Sequence, residues 1–249
     1  MEEDIRQLQK RFEELAARAD GRGRYTYTPF LTLAEQDVLQ KMARQLACPF
    51  QWMGGYDTAE RRLACFGREE HMGYAPDCPV RCVAMAPASK KFAGDLGHRD
   101  FLGSLMGLGI KRQLLGDIQI VDGVGYLFCL EEIAPYICDN LVSVGRTAVH
   151  CAVCEAPEQL SQPPEPTELV VASQRLDALI AAVWRLSRSD AQELLEKGLV
   201  FIDGRLVENP SHTLQEGDLV SVRRQGRFRY EGTLRETKKG RLRVSVRIY

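Results

Sequence analysis

The fold is decided by residues 175–222, which read RLDALIAAVWRLSRSDAQELLEKGLVFIDGRLVENPSHTLQEGDLVSV. The apolar face of 175–184 predicts one helix, and Ser187 is placed to begin a second, because its side chain can accept a backbone N–H two or three residues on. Gly198 predicts the end of that helix as a left-handed cap. Asp203-Gly204 predicts a tight hairpin, since this pair tolerates positive φ. Strands are predicted at 168–171, 199–202, 205–207 and 219–223.

Arginine and serine side chains gather at the starts of these two helices. A helix N-terminus offers unpaired N–H groups and a partial positive charge, so Ser187, Arg188 and Ser189 predict a phosphate site. Arg175 and Arg185 lie close by in the sequence. In the alternative interpretation, Ser187 only caps its helix and the arginines are solvated. The basic segment that follows favours the phosphate site.

The charge of the chain is unevenly distributed. The net charge is −1, but residues 1–166 carry 18 basic and 23 acidic side chains, whereas residues 167–249 carry 15 and 11. Within the latter, residues 223–249 hold ten basic and two acidic side chains. A basic block at one end of a chain favours binding to nucleic acid or to an anionic membrane surface.

Residues 223–249 predict two strands that turn at Lys239-Gly240. Period-two alternation gives the second strand a basic outer face and an apolar inner face. The outer face consists of Arg241, Arg243, Ser245 and Arg247, and the inner face of Leu242, Val244, Val246 and Ile248. Phe228 and Tyr230 in the first strand either pack in the core, which is the commoner role, or stack on bases.

The segments RLD, SRS, GLVFIDG and EGDLVSV, at these spacings, resemble the S-four RNA-binding domain over about residues 168–224. That family occurs on ribosomal small-subunit protein four, bacterial tyrosyl-tRNA synthetases and pseudouridine synthases. The resemblance implies docking on structured RNA through phosphate and shape contacts. The residues expected to bind RNA are Arg175, Arg185, Ser187, Arg188, Ser189, Gln192, Lys197, Arg205, Arg223, Arg224, Arg227, Arg229, Lys238, Lys239 and Arg241.

The segment 80–155 predicts the element order βαββαβ. This is the order of a ferredoxin-like sheet, the fold that RNA-recognition modules also use. Tyr126 and Phe128 share one face of the third strand, but the first strand, 81–85, supplies no aromatic partner for base stacking. Six basic side chains around the first helix form either a second RNA surface or an ordinary solvated rim. They are Lys90, Lys91, His98, Arg99, Lys111 and Arg112.

The N-terminal region is predicted to be mainly helical. Apolar residues recur at helical spacing from Ile5 to Leu15, Thr32 and Glu35 have the pattern of a capping box, and residues 50–67 suggest a hairpin. Four prolines in 156–166 favour a semi-rigid extended linker. We therefore predict an α+β chain with a helical region at 1–74, a ferredoxin-like, RRM-like βαββαβ domain at 75–155, a Pro-rich linker at 156–167, and an S-four α/β domain with a basic C-terminal hairpin at 168–249.

The stretch GHRDFLGSLMGLGIKR at 97–112, followed by Gly116-Asp117-Ile118 and by the S-four domain, resembles the YlmH family. The resemblance is good over about 75–249 and loose over the first 70 residues. Those proteins are bacterial RNA-binding factors, encoded beside division genes in Gram-positive bacteria and implicated in ribosome-associated quality control. The resemblance implies a non-enzymatic factor that binds large-subunit ribosomal RNA or peptidyl-tRNA and supports alanine tailing of stalled chains. Quality-control factors or division proteins would bind its N-terminal region.

Composition excludes several classes of protein. No stretch approaches the ~18–20 consecutive apolar residues of a membrane helix, and the N-terminal sequence is unlike a signal peptide. Eight cysteines are too few for a secreted disulfide framework in a chain of 249 residues. We expect a cytoplasmic, ribosome-associated protein with free thiols and no membrane insertion.

Apparent catalytic and metal motifs lack their partners. The tripeptide HRD at 98–100 copies a kinase motif, but Leu105 stands where that motif needs Asn. Asp177 superficially resembles the catalytic aspartate of pseudouridine synthases, yet we expect it to serve the first turn of its helix. Cys151 and Cys154 are an odd number of residues apart, so on a strand they point to opposite faces and cannot share a zinc ion. We expect no catalytic residue, no metal and no cofactor.

Two other functions stay open. The first is an RNA-modifying enzyme of the pseudouridine-synthase type, in which the S-four domain delivers RNA to the middle domain. Its weakness is the lack of a converging acid, base or nucleophile. The second is a division-site scaffold that binds protein through the acidic N-terminal helices.

Overall fold

The computed structural model describes residues 2–89, 96–161 and 164–249. The chain divides into two compact units, Met1–Ser161 and Gln162–Tyr249, called below the N-terminal and C-terminal units. Lys90 and Lys91, two members of the expected second RNA surface, lie outside the described residues. Among the helices in the described ranges, none is both long and apolar enough to cross a bilayer.

The N-terminal unit begins with helices beside a three-stranded sheet. Its first elements are α1 (Glu2–Arg22), β1 (Thr26–Tyr27), α2 (Leu33–Met42), β2 (Phe50–Met53), β3 (Leu63–Phe66) and α3 (Glu69–Met72). The sheet order is β1-β3-β2, so the predicted hairpin is confirmed and a short third strand is added to it. The Thr32 hydroxyl accepts the Glu35 backbone N–H at 3.4 Å and the Glu35 carboxylate accepts the Thr32 backbone N–H at 2.6 Å, which confirms the capping box.

The rest of the N-terminal unit is the predicted ferredoxin-like sheet. Its elements are β4 (Val80–Pro87), α4 (His98–Gly107), β5 (Leu115–Val121), β6 (Val124–Leu130), α5 (Ala134–Asn140), β7 (Ser143–Val144) and β8 (Thr147–Cys154). The strand order is β5-β6-β4-β8-β7 and neighbouring strands are antiparallel. Phe101 and Leu105 of α4 and Ile137 of α5 pack on Val83 and Leu127, so the two helices cover one face of the sheet.

The proline-rich stretch differs from an extended linker. It contains a helical turn, α6 (Glu158–Ser161), which follows Pro157. A proline just before a helical turn loses no hydrogen bond, because the first N–H groups of a helix have no intrahelical partner. Leu160 of this turn packs beside the five-stranded ferredoxin-like sheet, the middle sheet of the chain. Pro166 opens a strand at the edge of the other unit's sheet, where its missing N–H also costs little.

The C-terminal unit is two helices packed on a six-stranded antiparallel sheet. Its elements are β9 (Pro166–Val171), α7 (Leu176–Trp184), α8 (Arg188–Glu196), β10 (Val200–Ile202), β11 (Arg205–Leu206), β12 (Leu219–Val222), β13 (Gly226–Glu236) and β14 (Leu242–Ile248), in the order β11-β10-β12-β13-β14-β9. Leu179 of α7 and Leu195 of α8 share a core with Phe228, Tyr230 and Val244. The two aromatic residues of β13 therefore have the core role, and base stacking by them is ruled out.

Turn chemistry positions the strands of the C-terminal unit as the sequence predicts. Asp203 and Gly204 have φ values of 49° and 79°, which match the tight turn between β10 and β11. Gly198 has φ 64° and follows α8 as the predicted left-handed residue. The β13–β14 hairpin turns through Lys238, Lys239 and Gly240.

Candidate nucleic-acid interface

One buried carboxylate joins the starts of α7 and α8. Asp177 lies in the first turn of α7 and its side chain is 0% exposed. Arg175 donates from Nε to Oδ1 at 3.1 Å and from Nη2 to Oδ2 at 2.9 Å. Arg188 donates from Nη2 to both oxygens, at 3.0 and 2.9 Å. Gln192 of α8 donates to Oδ2 at 3.1 Å.

The carboxyl of Asp177 is ionised in this arrangement. Burial alone raises its pKa, but the hydrogen bonds from Arg175, Gln192 and Arg188 outweigh burial and hold the pKa at about 2. The expected placement in the first helical turn is observed, but the partners of the carboxylate are side chains of both helices. A fully buried, fully engaged carboxylate is not placed to attack a substrate.

The two arginines bound to Asp177 also reach the surface. The side chain of Arg175 is 38% exposed and that of Arg188 is 52% exposed. A guanidinium carries five N–H donors. Arg175 commits Nε and Nη2 to Asp177 and Arg188 commits Nη2, so the Nη1 groups of both side chains are not used in this cluster. The outward part of each guanidinium can donate to a phosphate oxygen.

The hydroxyl groups beside this cluster are used locally. The Ser187 hydroxyl accepts the Asp190 backbone N–H at 3.1 Å, and the Asp190 carboxylate accepts the Ser187 backbone N–H at 3.2 Å. The Ser187 and Ser189 oxygens are 2.7 Å apart. The predicted helix cap at Ser187 is confirmed, and the arginines, more than the serines, present free donors.

A second group of exposed arginines lies at the other end of α7. Arg185 ends that helix with φ 54°, and Arg224 has φ 70° in the turn between β12 and β13. This turn approaches the helix end, since a Cβ added at Gly226 would lie 3.8 Å from Nε1 of Trp184. Arg223 places its guanidinium 5.4 Å from the ring centroid of Phe201. Arg185 and Arg224 thus both have left-handed backbone, which is uncommon at residues other than glycine.

The other residues predicted to bind RNA differ in how far they are exposed and in whether they have partners within the protein. Lys197 pairs with Glu193 at 2.5 Å, and Arg229 donates to the Gly217 carbonyl at 2.8 Å. Arg227 is only 8% exposed, with its guanidinium 5.3 Å from the ring centroid of Tyr249. That burial leaves Arg227 little surface for RNA. Lys197 itself is exposed, as are Arg205 in β11 and Lys238, Lys239 and Arg241 at the hairpin turn.

The outer face of β14 is less basic than the alternation predicts. β14 lies between β13 and β9, so both of its neighbours contribute acidic partners. Arg243 pairs with Glu168 at 2.9 Å and Arg247 pairs with Glu231 at 3.0 Å. Ser245 is buried. The inner face is apolar as predicted, but the free positive charge of the hairpin is concentrated at its turn.

The aromatic face of the middle sheet is covered within its own unit. Phe128 is 1% exposed and packs with Phe30 and Leu63 from the N-terminal segment. The Tyr56 ring centroid is 4.6 Å from that of Phe128. Tyr126 packs beside the same cluster. RNA bases therefore have no access to Phe128, and Tyr126, the other aromatic residue on the face that RNA-recognition modules use for stacking, is half-buried.

A second buried aspartate fixes this cover in place. The Asp117 carboxylate accepts the Tyr56 hydroxyl at 2.7 Å and the backbone N–H groups of Glu60 and Arg61 at 2.7 and 3.0 Å. Arg61 also donates from Nε to the Leu115 carbonyl at 3.0 Å. Sequence reasoning missed this contact, because nothing in the local pattern around Asp117 indicates a partner about 60 residues earlier.

The described residues of the expected second RNA surface do not all face solvent. His98, Arg99 and Lys111 are exposed. Arg112 turns inward and donates to the Gly116 carbonyl at 3.1 Å, and burial, with the nearby charge of Arg61, lowers its pKa to about 10. Desolvation, with the Arg112 charge, lowers the pKa of His98. Arg112 thus serves the fold of the unit.

Cys151 and Cys154 lie on opposite faces of the sheet, as the sequence predicts. Cys151 packs with the core under α4 and α5, whereas Cys154 packs on the opposite face of the sheet. Cys154 lies beside Cys82, with the two sulfur atoms 3.8 Å apart. Within residues 2–89, 96–161 and 164–249, no group of three or more His, Cys, Asp or Glu side chains is arranged to hold a metal ion.

Comparisons with known proteins agree on both units. The family model for the RNA-binding domain in YlmH matches residues 83–158, and the model for the S4 domain matches residues 174–220. The "Ribosome-associated protein quality control protein P2" of Bacillus subtilis (strain 168) is 33% identical over 225 residues, covering 89% of this chain and 86% of that protein. The structure of "Cell division protein ylmH from Streptococcus pneumoniae" is similar in fold, with a TM-score of 0.50 and 19% identity over 63% of this chain and 93% of that chain.

Proposed function

The chain belongs to the YlmH family, and from that premise we propose that it is a non-enzymatic RNA-binding factor of ribosome-associated quality control. It associates in the cytoplasm with the large ribosomal subunit, through ribosomal RNA, peptidyl-tRNA or both, and supports alanine tailing of stalled chains. The printed name of the Bacillus subtilis relative, and its identity over most of both chains, support the ribosomal part of this proposal.

The observation that carries RNA binding is the pair of arginines on Asp177. Arg175 immediately precedes α7 and Arg188 begins α8, and the two side chains meet on one carboxylate and remain accessible to solvent. Charge-assisted hydrogen bonds from arginine to phosphate are among the stronger contacts that a protein makes to RNA. We assign the same role to seven further exposed basic residues of the unit: Arg185, Arg205, Arg223, Arg224, Lys238, Lys239 and Arg241.

The absence of catalysis is also part of the proposal. The carboxylate that most resembles a catalytic aspartate, Asp177, is buried and held by three side chains. Asp100 of the kinase-like tripeptide accepts the Gly97 backbone N–H at 2.8 Å, which is a local helix-start contact. Neither carboxylate has an accessible nucleophile or base beside it among the contacts described above.

A lysate sedimentation profile at low and high salt tests this function. The protein is followed across free, small-subunit, large-subunit and whole-ribosome fractions. We expect co-migration with the large subunit that weakens at high salt, because each neutralised phosphate releases counterions. The variant Arg175→Glu/Arg188→Glu should move to the top of the gradient.

The matched control is Arg18→Glu/Arg22→Glu, which changes two exposed arginines of α1 and alters the net charge equally. It should sediment as the unaltered protein does. Presence of the unaltered protein only at the top of the gradient at both salt concentrations would contradict the ribosomal proposal and favour the enzyme or scaffold alternatives.

A further inference from the structure

We propose that Asp177 is a positioning residue for RNA binding, whose buried carboxylate orients Arg175 and Arg188 so that the two guanidinium groups bind one backbone phosphate together. This inference rests on the proposed RNA-binding function and names the ligand of one site within it. The carboxylate itself does not touch the RNA.

The hydrogen-bond geometry fixes the direction of each arginine. Arg175 meets Asp177 through Nε and Nη2, the fork that holds a guanidinium in one plane. Arg188 spans both carboxylate oxygens with Nη2. Both side chains are long and flexible in solution, and a phosphate that met them unheld would have to order them on binding. Asp177 orders them in the free protein.

The third partner shows that the carboxylate acts on both helices. Gln192 lies one turn after Arg188 in α8 and donates to Oδ2 of Asp177. The first turns of α7 and α8 are thereby joined through a single side chain. Arg188 is also the first residue of α8, where the helix dipole favours an anion. An RNA phosphate at this point meets two oriented guanidinium groups and the positive end of a helix.

Stability alone does not account for this arrangement. A buried ion pair loses in desolvation much of what it gains in attraction, so apolar residues of similar volume often serve a fold equally well. The exposed parts of the Arg175 and Arg188 side chains are also unnecessary for a purely internal ion pair. Both features are explained if the arginines have a partner outside the protein.

Replacing Asp177 by asparagine should change RNA affinity in the direction opposite to that expected from net charge alone. Asp177→Asn removes one negative charge beside two arginines, so net charge alone predicts equal or tighter RNA binding. If the carboxylate orients the arginines, the same change loosens them and weakens binding. An amide has the same shape as the carboxylate but carries no charge and has one acceptor oxygen in place of two, so it loses the contacts at one oxygen, and its NH2 group faces the donors of the arginines.

The experiment measures binding of fluorescein-labelled bulk transfer RNA to the full chain by anisotropy over a range of salt concentrations. Asp177→Asn should bind about tenfold more weakly, and the slope of log affinity against log salt should fall by about one, the value for one lost phosphate contact. The control Glu196→Gln removes one exposed negative charge from the same helix α8 and should bind as well as, or better than, the unaltered protein.

Equal or tighter binding by a folded Asp177→Asn variant would overturn the inference. If that variant fails to fold, Arg175→Lys decides the question, because lysine keeps the charge without the planar fork through which Arg175 meets Asp177. A weakening of several-fold supports the inference, and unchanged binding overturns it. The variant Arg175→Glu/Arg188→Glu distinguishes failure of the RNA site from failure of the positioning role. If this variant binds normally, the proposed RNA site itself fails; if it loses binding while Asp177→Asn does not, only the positioning role fails.

Discussion

Two buried aspartates of the same chain show how differently its two units use a carboxylate. Asp117 in the N-terminal unit accepts a tyrosine hydroxyl and two backbone N–H groups, so it closes one part of the unit onto another. Asp177 in the C-terminal unit accepts two arginines that remain exposed. The first carboxylate ends a network inside the protein. The second presents positive charge to the outside.

The same contrast holds for the two RNA-associated folds. The middle sheet has the order of an RNA-recognition module, but Phe128 on its aromatic face is buried against Phe30 and Leu63. The helix pair of the C-terminal unit leaves its basic residues uncovered. A fold that binds RNA in other proteins is therefore weak evidence for an RNA-binding surface in this one. The residues that stay accessible in the folded unit are stronger evidence.

The largest effect expected from this comparison is structural. Phe128→Ala should lower the free energy of unfolding of the N-terminal unit by about 3–5 kcal/mol, the usual cost of emptying a buried aromatic site. RNA affinity, measured under conditions where the unit is still folded, should not change. In a Trp184→Phe background, Trp52 is the remaining tryptophan and reports denaturant unfolding of this unit.

The control for that prediction is Val153→Ala, an exposed residue of β8 in the same sheet. It should cost less than about 1 kcal/mol, as surface substitutions generally do. Lower RNA affinity in Phe128→Ala without a loss of stability would show that the aromatic face reaches RNA, and would break the comparison.

A smaller structural effect is expected at the contact between the two parts of the N-terminal unit. Asp117→Asn replaces one of the two acceptor oxygens by an NH2 group, so the backbone N–H of Glu60 or of Arg61 loses its acceptor. The free energy of unfolding of the N-terminal unit should fall by about 2 kcal/mol. Asp139→Asn, on the exposed side of α5, serves as the control and should be nearly neutral. Unfolding followed through Trp52 checks both variants. Equal stability of the two would mean that Asp117 does not hold the cover in place.

The fold of the C-terminal unit is largely predictable from local sequence. Its turns carry their own chemistry, as at Asp203-Gly204, and the Ser187 cap depends on a residue three positions away. Alternation correctly predicts the apolar face of β14. It fails for the outer face, because the acidic partner of Arg243 comes from β9, which lies 75 residues earlier in the chain.

The candidate site is only half predictable for the same reason. The sequence identifies the arginines, since charge and helix position are local properties. It does not identify Asp177 as their common partner, because Arg188 lies 11 residues away on another helix. Likewise, Phe30, Tyr56 and Leu63, which cover Phe128, lie more than 60 residues earlier in the chain, and alternation within β6 cannot indicate them.

A pH dependence sharpens the comparison on the C-terminal side. The folded pKa of Asp177 is about 2, below the value of about 3.9 for an unfolded aspartate. A depressed carboxyl pKa stabilises the folded state above the unfolded pKa, and this contribution is lost as the pH falls through the folded pKa. The stability difference between the unaltered protein and Asp177→Asn, on the order of 1–2 kcal/mol, should therefore shrink between about pH 5 and pH 2.

A Trp52→Phe background leaves Trp184 as the tryptophan that reports unfolding of the C-terminal unit. Trp184 packs against Phe228, with ring centroids 5.6 Å apart, so its fluorescence should follow the core. A stability difference that stays constant down to about pH 2.5 would contradict the ionised, arginine-held state of Asp177.

The smallest effect is expected at the hairpin turn. Lys238→Ala/Lys239→Ala removes two exposed charges, and should weaken RNA binding about threefold at low salt and less at high salt. Anisotropy titration against labelled RNA measures this change. A loss of RNA affinity as large as that of Arg175→Glu/Arg188→Glu would show that the hairpin turn makes the main RNA contact.

The central claim is that RNA is bound by the arginines of the helix pair and not by the basic rim of the middle sheet. Arg175→Glu/Arg188→Glu and Arg99→Glu/Lys111→Glu change the net charge equally, one in each unit. Anisotropy titrations of both variants against one structured RNA at one salt concentration test the claim most directly. We predict a loss of about 100-fold for the first pair, as expected for two charge-assisted contacts, and less than about threefold for the second. Equal losses, or a larger loss for Arg99→Glu/Lys111→Glu, would contradict the account.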